Sequence, residues 1–218
     1  MKITFEKIKE NKSVQTYIEK ADESLIALGY TEHSFAHVTR VSKIANEILK
    51  ELGYSDRDAE LASIAGYLHD IGNVINRVDH AQSGAVMAFR ILDKMGAAPE
   101  DIATIITAIG NHDESTAFPV NPIAAALIIA DKTDVRNTRV RNQDTSTFDI
   151  HDRVNFAVKE SKVKVVDRHI EVKIKLDKSI CSVMDYFEIF LDRMILCRKA
   201  AEKLGVEFWL IINKERVI

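Results

Sequence analysis

Four histidines and two aspartates in this 218-residue sequence lie on or beside apolar helical stretches. His37 shares a predicted helix face with Val41 and Ile44, because side chains three and four residues apart lie on the same side of a helix. The pair His69 and Asp70 ends another apolar stretch. These side chains are therefore expected to point into the interior, where imidazole and carboxylate groups bind divalent metals.

The other three candidates follow the same pattern. His80 begins a predicted helix, His112 follows apolar residues at helical spacing, and Asp131 closes the apolar run IAAALIIA. An ionised carboxylate on such a helix costs several kcal/mol unless it is paired, hydrogen-bonded or metal-bound. Taken singly, each histidine could be a hydrogen-bonded core residue, and Asp131 could pair with Arg136 or Arg139. Taken together, the six residues favour a metal site.

Composition narrows the class of protein and its partners. Hydrophobic residues make up 46% and charged residues 29%, which is typical of a folded domain. The net charge of −3 provides no positive field for a nucleic acid polymer or a membrane surface, so a small-molecule partner is expected. The longest apolar run, residues 123–130, is far shorter than the roughly 20 residues of a membrane span. The two cysteines form no CxxC pair and the first residues show no export signal, so we expect a cytoplasmic protein.

Most of the chain has helical periodicity, interrupted by Gly, Pro, Asn and Ser. Seven helices are predicted, over residues 14–28, 34–52, 55–72, 79–96, from 99, from 122, and 150–159. Residues 137–147 are polar and are predicted to form a surface loop.

The last quarter of the chain changes character. Residues 162–176 alternate between apolar and polar side chains, which predicts a β-hairpin, and a helix over 182–204 and a strand over 208–212 follow. The predicted fold is therefore mainly α, a helical bundle over residues 1–160 with a small ββαβ tail over 161–218. Because the apolar face of the hairpin needs cover, we also expect a homodimer through the tail.

The six residues and their contexts resemble a known family. The order His37, His69-Asp70 and Asp131, in AHVTRV, YLHDIGN and IIADKTD, resembles the HD superfamily of metal-dependent phosphohydrolases. His80 and His112, in DHAQSGAVMA and GNHDE, match its two-metal branch, and these segments are similar to bacterial HD-type hydrolases of dinucleoside polyphosphates. The resemblance spans roughly residues 30–160. The chain departs from it at Asn73, where many members have Lys, and at Asp113, where HD-GYP enzymes have a second His.

The resemblance implies a helical HD domain that binds one or two divalent ions of iron, manganese, cobalt or nickel. Asp70 would bridge two ions, since a carboxylate has two oxygens and an imidazole only one free nitrogen. The implied ligands are His37, His69, Asp70, His80, His112 and Asp131. Of these, Asp70 and Asp131 are the predicted catalytic residues. The implied reaction is hydrolysis of a nucleotide or another small phosphate ester or anhydride by a metal-activated water.

Several further residues are candidates for substrate binding. Guanidinium groups can clamp phosphate oxygens in bidentate fashion, although a solvated basic loop is an equally good interpretation. The predicted substrate-binding residues are His33, Arg40, Arg136 and Arg139. Lys132 is predicted on a different helix face from Asp131, Glu114 in an exposed loop, and His151 and His169 on the surface.

Two other functions are compatible with the same ligands. Mixed-valent di-iron oxygenases of the HD superfamily, similar to myo-inositol oxygenase, use this ligand set to activate oxygen. A regulatory, nucleotide-sensing module with a vestigial site is the second alternative. The nearby arginines favour phosphate chemistry, and the presence of all six ligands argues against a vestigial site.

Overall fold

Helices make up most of the molecule, as the sequence predicts. The computed structural model describes residues 2–218. In chain order the elements are α1 (Phe5–Glu10), α2 (Lys12–Ala27), α3 (Phe35–Glu51), α4 (Asp56–Leu68), α5 (His80–Lys94), α6 (Pro99–Gly110), α7 (Pro122–Lys132), α8 (Ile150–Ala157), β1 (Val158–Val166), β2 (His169–Leu176), α9 (Val183–Lys203), β3 (Glu207–Ile212) and β4 (Glu215–Arg216). Short 3-10 turns at Ile71–Val74, Asn137–Arg139 and Thr145–Thr147 lie between the helices.

The helix boundaries agree closely with those predicted from capping residues. The side chains of Ser34, Ser55 and Asn121 accept hydrogen bonds from main-chain amides at the starts of α3, α4 and α7. Helix α2 begins at Lys12, two residues before the predicted start at residue 14, because Asn11 caps it. The short helix α1 was not predicted.

The core of the bundle is built around α7. Every residue from 123 to 130 is buried, so the longest apolar run of the sequence is the central helix of the bundle. Helices α3, α4, α6 and α9 all pack against it. Across residues 2–218, no helix combines the length and the hydropathy needed to cross a lipid bilayer.

The tail is a mixed four-stranded sheet crossed by α9. Strands β1 and β2 pair antiparallel, β2 and β3 pair parallel, and β4 adds an unpredicted antiparallel edge. The predicted helix over 150–159 ends early, because Val158 already pairs with Leu176 and a bulge between Val158 and Glu160 extends β1 backwards. The loop over 137–147 is not wholly at the surface, since Arg139 and Val140 are buried.

Helix α9 joins the tail to the bundle. It packs against β2 and β3 on one side and against α7 on the other. Val172, Ile174 and Leu176 are thereby buried within the single chain. The apolar face of the hairpin therefore does not require a second copy, and the homodimer stays a prediction, as does a domain boundary at residue 160.

The closest approach of α3 and α4 depends on Gly66. A Cβ atom at Gly66 would lie 2.8 Å from Ser42 Cα and 2.9 Å from Ser42 N, both main-chain atoms that cannot rotate away. Because α3 carries His37 and α4 ends at His69, this contact sets the distance between two of the predicted ligands.

We expect Gly66→Ala to lower the free energy of unfolding by about 1–3 kcal/mol, because overpacking at a main-chain contact outweighs the better helix propensity of alanine. Gly110→Ala is the matched control, since its Cβ would meet only Ala85 Cβ at 3.7 Å. Urea denaturation of both variants tests this, and a Gly66→Ala protein as stable as the wild type would contradict it.

Candidate metal centre

The ends of five helices bring the six predicted ligands together. His37 lies in the first turn of α3, His69 caps α4, His80 begins α5, and His112 follows the end of α6. Asp70 lies between α4 and the 3-10 turn at Ile71–Val74, and Asp131 is the penultimate residue of α7. All four histidines are buried and Asp70 is 5% exposed. The sequence interpretation that these side chains point inward is confirmed.

Each of the four imidazoles is oriented through Nδ1. In three of them Nδ1 lies at hydrogen-bond distance from the carbonyl oxygen three residues earlier: His69 to Gly66 at 2.8 Å, His80 to Arg77 at 3.0 Å and His112 to Ile109 at 2.6 Å. In His37, Nδ1 lies 2.8 Å from Asp134 Oδ2. Because a carbonyl or carboxylate oxygen can only accept, these contacts assign the proton to Nδ1. Each Nε2 then presents a lone pair.

The four Nε2 atoms converge on Asp70. Its Oδ2 lies 3.1 Å from His69 Nε2 and 3.6 Å from His37 Nε2. Its Oδ1 lies 3.6 Å from His80 Nε2 and 3.9 Å from His112 Nε2. The two oxygens therefore face different pairs of histidines.

Several of these contacts lack a proton to stabilise them. The Nε2 atoms of His37 and His69 are 3.3 Å apart, and those of His80 and His112 are 3.2 Å apart, so two lone pairs face each other in each case. Asp70 Oδ2 is buried without a hydrogen-bond partner. Burial lowers the pKa of His112 to about 3 and keeps it in the neutral form that ligates metals. This donor set fits divalent cations.

The donor atoms form three overlapping groups in which all members lie within 4.8 Å of one another. The groups are His37, His69 and Asp70; His69, His112 and Asp131; and Asp70, His80 and His112. Among residues 2–218, every such group is drawn from the six ligands predicted from the sequence.

Asp131 presents one oxygen to the histidines and the other to Lys132. Its Oδ1 lies 3.4 Å from His37 Nε2 and 3.7 Å from His69 Nε2, and its Oδ2 lies 2.7 Å from Lys132 Nζ. Burial alone would raise the pKa of Asp131, but the Lys132 ammonium and the histidines hold it well below its ordinary value. Lys132 was predicted on a different helix face from Asp131, but its long side chain reaches the same carboxylate.

Asp134 binds the arginines that were expected to clamp phosphate. Its buried carboxylate lies 2.9 Å from Arg40 Nε, 2.5 Å from Arg136 Nε and 3.9 Å from Arg139 Nη1. Although burial opposes ionisation, hydrogen bonds from His37 and Arg136 hold the pKa of Asp134 well below its ordinary value. Arg40 and Arg136 are not among the residues that line the cavity described next, whereas Arg139 borders it.

A cavity of about 340 Å³ opens onto the ligand cluster. Asp70, His80, His112 and Asp131 lie on its wall, as do the predicted substrate-binding residues His33 and Arg139. Four cationic side chains also border it, namely Arg77, Lys132, Arg139 and Arg193. The carboxylates of Glu114, Asp149 and Asp152 line it as well, so the charge of the wall is mixed. Its cationic groups can bind an anion beside the metal ligands.

Sequence reasoning missed several of these wall residues. Arg77 lies in an irregular turn and Arg193 on α9, and no local pattern relates either to the ligands. His151, predicted to lie on the surface, is exposed but borders the cavity. His169 lies in the sheet and stacks on Trp209 at a ring distance of 3.6 Å, so it is not part of the cluster.

Comparisons with known proteins agree with this arrangement. The sequence profile of the HD domain family matches residues 34–139, a range that contains all six ligands. An uncharacterised protein of Methanocaldococcus jannaschii is 24% identical over 210 residues, covering 84% of this chain and 81% of that protein. Ribonuclease Y of Streptococcus sanguinis is 27% identical over 154 residues, covering 68% of this chain but only 27% of that protein.

One solved structure is also similar. The crystal structure of a predicted HD superfamily hydrolase from an uncultured Thermotogales bacterium aligns with a TM-score of 0.46 and 26% identity. The alignment covers 57% of this chain and 68% of that chain.

We expect Asp134→Ala to destabilise the fold by about 3–5 kcal/mol, because it removes the buried counter-charge of three arginines and the partner of His37. Chemical denaturation measures this. Asp192→Ala, at an exposed position on α9, is the matched control and should change stability by less than about 0.5 kcal/mol. A loss below about 1 kcal/mol for Asp134→Ala would show that the arginines do not depend on it.

Proposed function

We propose that this protein, whose residues 34–139 match the HD domain family, is a metal-dependent phosphohydrolase acting on a nucleotide or another small phosphate ester or anhydride. The observation that carries the proposal is the convergence of four Nε2 lone pairs on Asp70, beside a cavity lined by cationic side chains. Such a set of donors binds a cation, and such a cavity binds an anion.

We assign two cation positions, one beside each carboxylate oxygen of Asp70. His37, His69, Asp70 and Asp131 would hold one ion, and Asp70, His80 and His112 would hold the other. When bound, such ions lower the pKa of a bound water and stabilise charge on the attacking and leaving oxygens. The protein supports this chemistry by holding each Nδ1 on an oxygen outside the site, so that each Nε2 faces the site without a turn of the ring.

The cationic side chains that border the cavity support a phosphate as the group that the substrate presents to the metal ligands. Lys132 is almost fully buried and directs its ammonium toward Asp131, and Arg77 Nη1 lies 3.3 Å from His80 Nε2. These charges are close enough to the ligands to bind oxygens of a phosphoryl group attacked there. A di-iron oxygenase acting on an uncharged substrate would have no use for them, and a regulatory module would not need the intact ligand set.

The similarity to Ribonuclease Y adds RNA to the substrates that need to be tested. We favour a small phosphate compound because the net charge of the chain is −3 and the cavity is small. A phosphate-release screen on protein purified without chelator, covering nucleotides, dinucleotides and short RNA, tests the proposal. Phosphate or nucleotide release that is lost on chelation and restored by Mn²⁺, Fe²⁺, Co²⁺ or Ni²⁺ is expected. Two bound irons with no hydrolysis of any substrate would instead support the oxygenase.

Metal counting on variants tests the two positions. Asp70→Ala should lose both ions and all hydrolysis, because its two oxygens face both histidine pairs. His80→Ala or His112→Ala should lose one ion, since the position at His37, His69 and Asp131 keeps its ligands. Elemental analysis gives the stoichiometry directly.

His169→Ala serves as the control, because it removes a histidine outside the cluster and should leave metal content unchanged. Wild-type metal content and turnover in both His80→Ala and His112→Ala would rule out the second position. A single-ion site at His37, His69, Asp70 and Asp131 would then be the better account.

A further inference from the structure

Glu114 lies between two cationic side chains that border the cavity. Its Oε1 is 2.7 Å from Arg193 Nε and 3.4 Å from Lys132 Nζ. All three residues line the cavity, next to the ligand Asp131. A carboxylate of the protein therefore occupies an anion position within the proposed substrate site.

Neither cation is fully engaged by the Glu114 carboxylate. Arg193 Nε is buried and close to Glu114, but its N–H makes no directed hydrogen bond. Lys132 lies nearer to Asp131, at 2.7 Å, than to Glu114. The Glu114 side chain is itself 34% exposed and belongs to the connection between α6 and α7, whereas both cations lie on helices. Both cations are therefore positioned by helices, while their anion lies in a connection and is partly solvated.

We propose that Glu114 stands in for a phosphoryl group of the substrate, and that phosphate displaces its carboxylate from Lys132 and Arg193. This inference rests on the proposed phosphohydrolase function and deepens it. A phosphate has three or four terminal oxygens and carries up to two negative charges, so it can bond to both cations with better geometry than one carboxylate oxygen. Glu114, being tethered, competes with phosphate and neutralises the cations when the site is free.

The proposal also gives the tail a role in the active site. Arg193 comes from α9, which packs against α7, α8, β2 and β3. The anion position is therefore incomplete without the tail, which contributes one of its two cations.

Isothermal titration of inorganic phosphate into the metal-loaded full-length protein tests the inference. Glu114→Gln keeps the shape of the side chain but removes its charge, and should tighten phosphate binding about threefold, as expected for the loss of a partly exposed ion pair that competes with the ligand. Arg193→Ala should weaken binding by about tenfold, because a charge-assisted hydrogen bond is lost.

Asp192→Asn is the matched control, since it removes one negative charge from an exposed position next to Arg193. Its phosphate affinity should stay within about twofold of wild type. Because Glu114 is partly exposed, Glu114→Gln should fold, as circular dichroism can verify, and the test does not depend on Arg193→Ala remaining stable.

Equal or weaker phosphate binding by Glu114→Gln would overturn the inference, as would the same gain in Asp192→Asn, which would indicate a general charge effect. Failure of the proposed function has a different signature. It would appear as the absence of hydrolysis of every substrate, even if Glu114→Gln binds phosphate more tightly.

Discussion

The position of the Nδ1 proton on each histidine is the constraint on which the candidate site depends. At the ends of α4 and α6 the last carbonyl groups have no partner within the helix, and His69 and His112 each bond to one of them three residues back. His80 bonds in the same way to Arg77, just before α5 begins. A single local device thus completes unsatisfied main-chain groups and points three Nε2 atoms inward.

His37 does not use that device. It lies in the first turn of α3, where the carbonyl of Ser34 accepts the helical hydrogen bond from the amide of Val38. The partner of its Nδ1 is Asp134, from elsewhere in the chain. Because Asp134 is buried, its charge needs counter-charges, and Arg40, Arg136 and Arg139 surround it. Three arginines that resemble a phosphate clamp in sequence are thereby part of the support for one histidine.

This explains which parts of the site could be predicted from the sequence. Most of the six candidate ligands follow from local periodicity, because a polar residue on an apolar helix face must point inward wherever the helix packs. His80, at the start of a helix, was assigned as a ligand through the family resemblance. The destination of an arginine does not follow from periodicity, since a long side chain in a loop can reach either the cavity or a buried carboxylate. Arg193 was missed for a related reason. Its approach to the site is set by how α9 packs on α7, which is a tertiary contact between segments far apart in sequence.

The fold, like the site, could be predicted where local sequence determines it and not where tertiary contacts do. Caps such as Ser34, Ser55 and Asn121 determine where helices begin, so most boundaries could be predicted within a few residues. Helix α1 is only six residues long, too short for periodicity to reveal. The transition from α8 to β1 was misplaced because Val158 is recruited into the sheet by its pairing with Leu176, a partner that local sequence does not identify.

The negative charges of Asp70, Asp131 and Asp134 are balanced in different ways. Asp134 is surrounded by guanidinium groups, and Asp131 has the ammonium of Lys132. Asp70 lies within ion-pair distance of histidines alone, and its neutral hydrogen-bond donor is Asn73, which reaches Oδ1 but not Oδ2. Since an uncompensated buried carboxylate is costly, the remaining charge of the site is concentrated where four Nε2 lone pairs also meet. The protein therefore neutralises Asp134 and Asp131 with its own lysine and arginine side chains, whereas Asp70 has no such partner. A metal ion at the proposed site would balance the charge of Asp70.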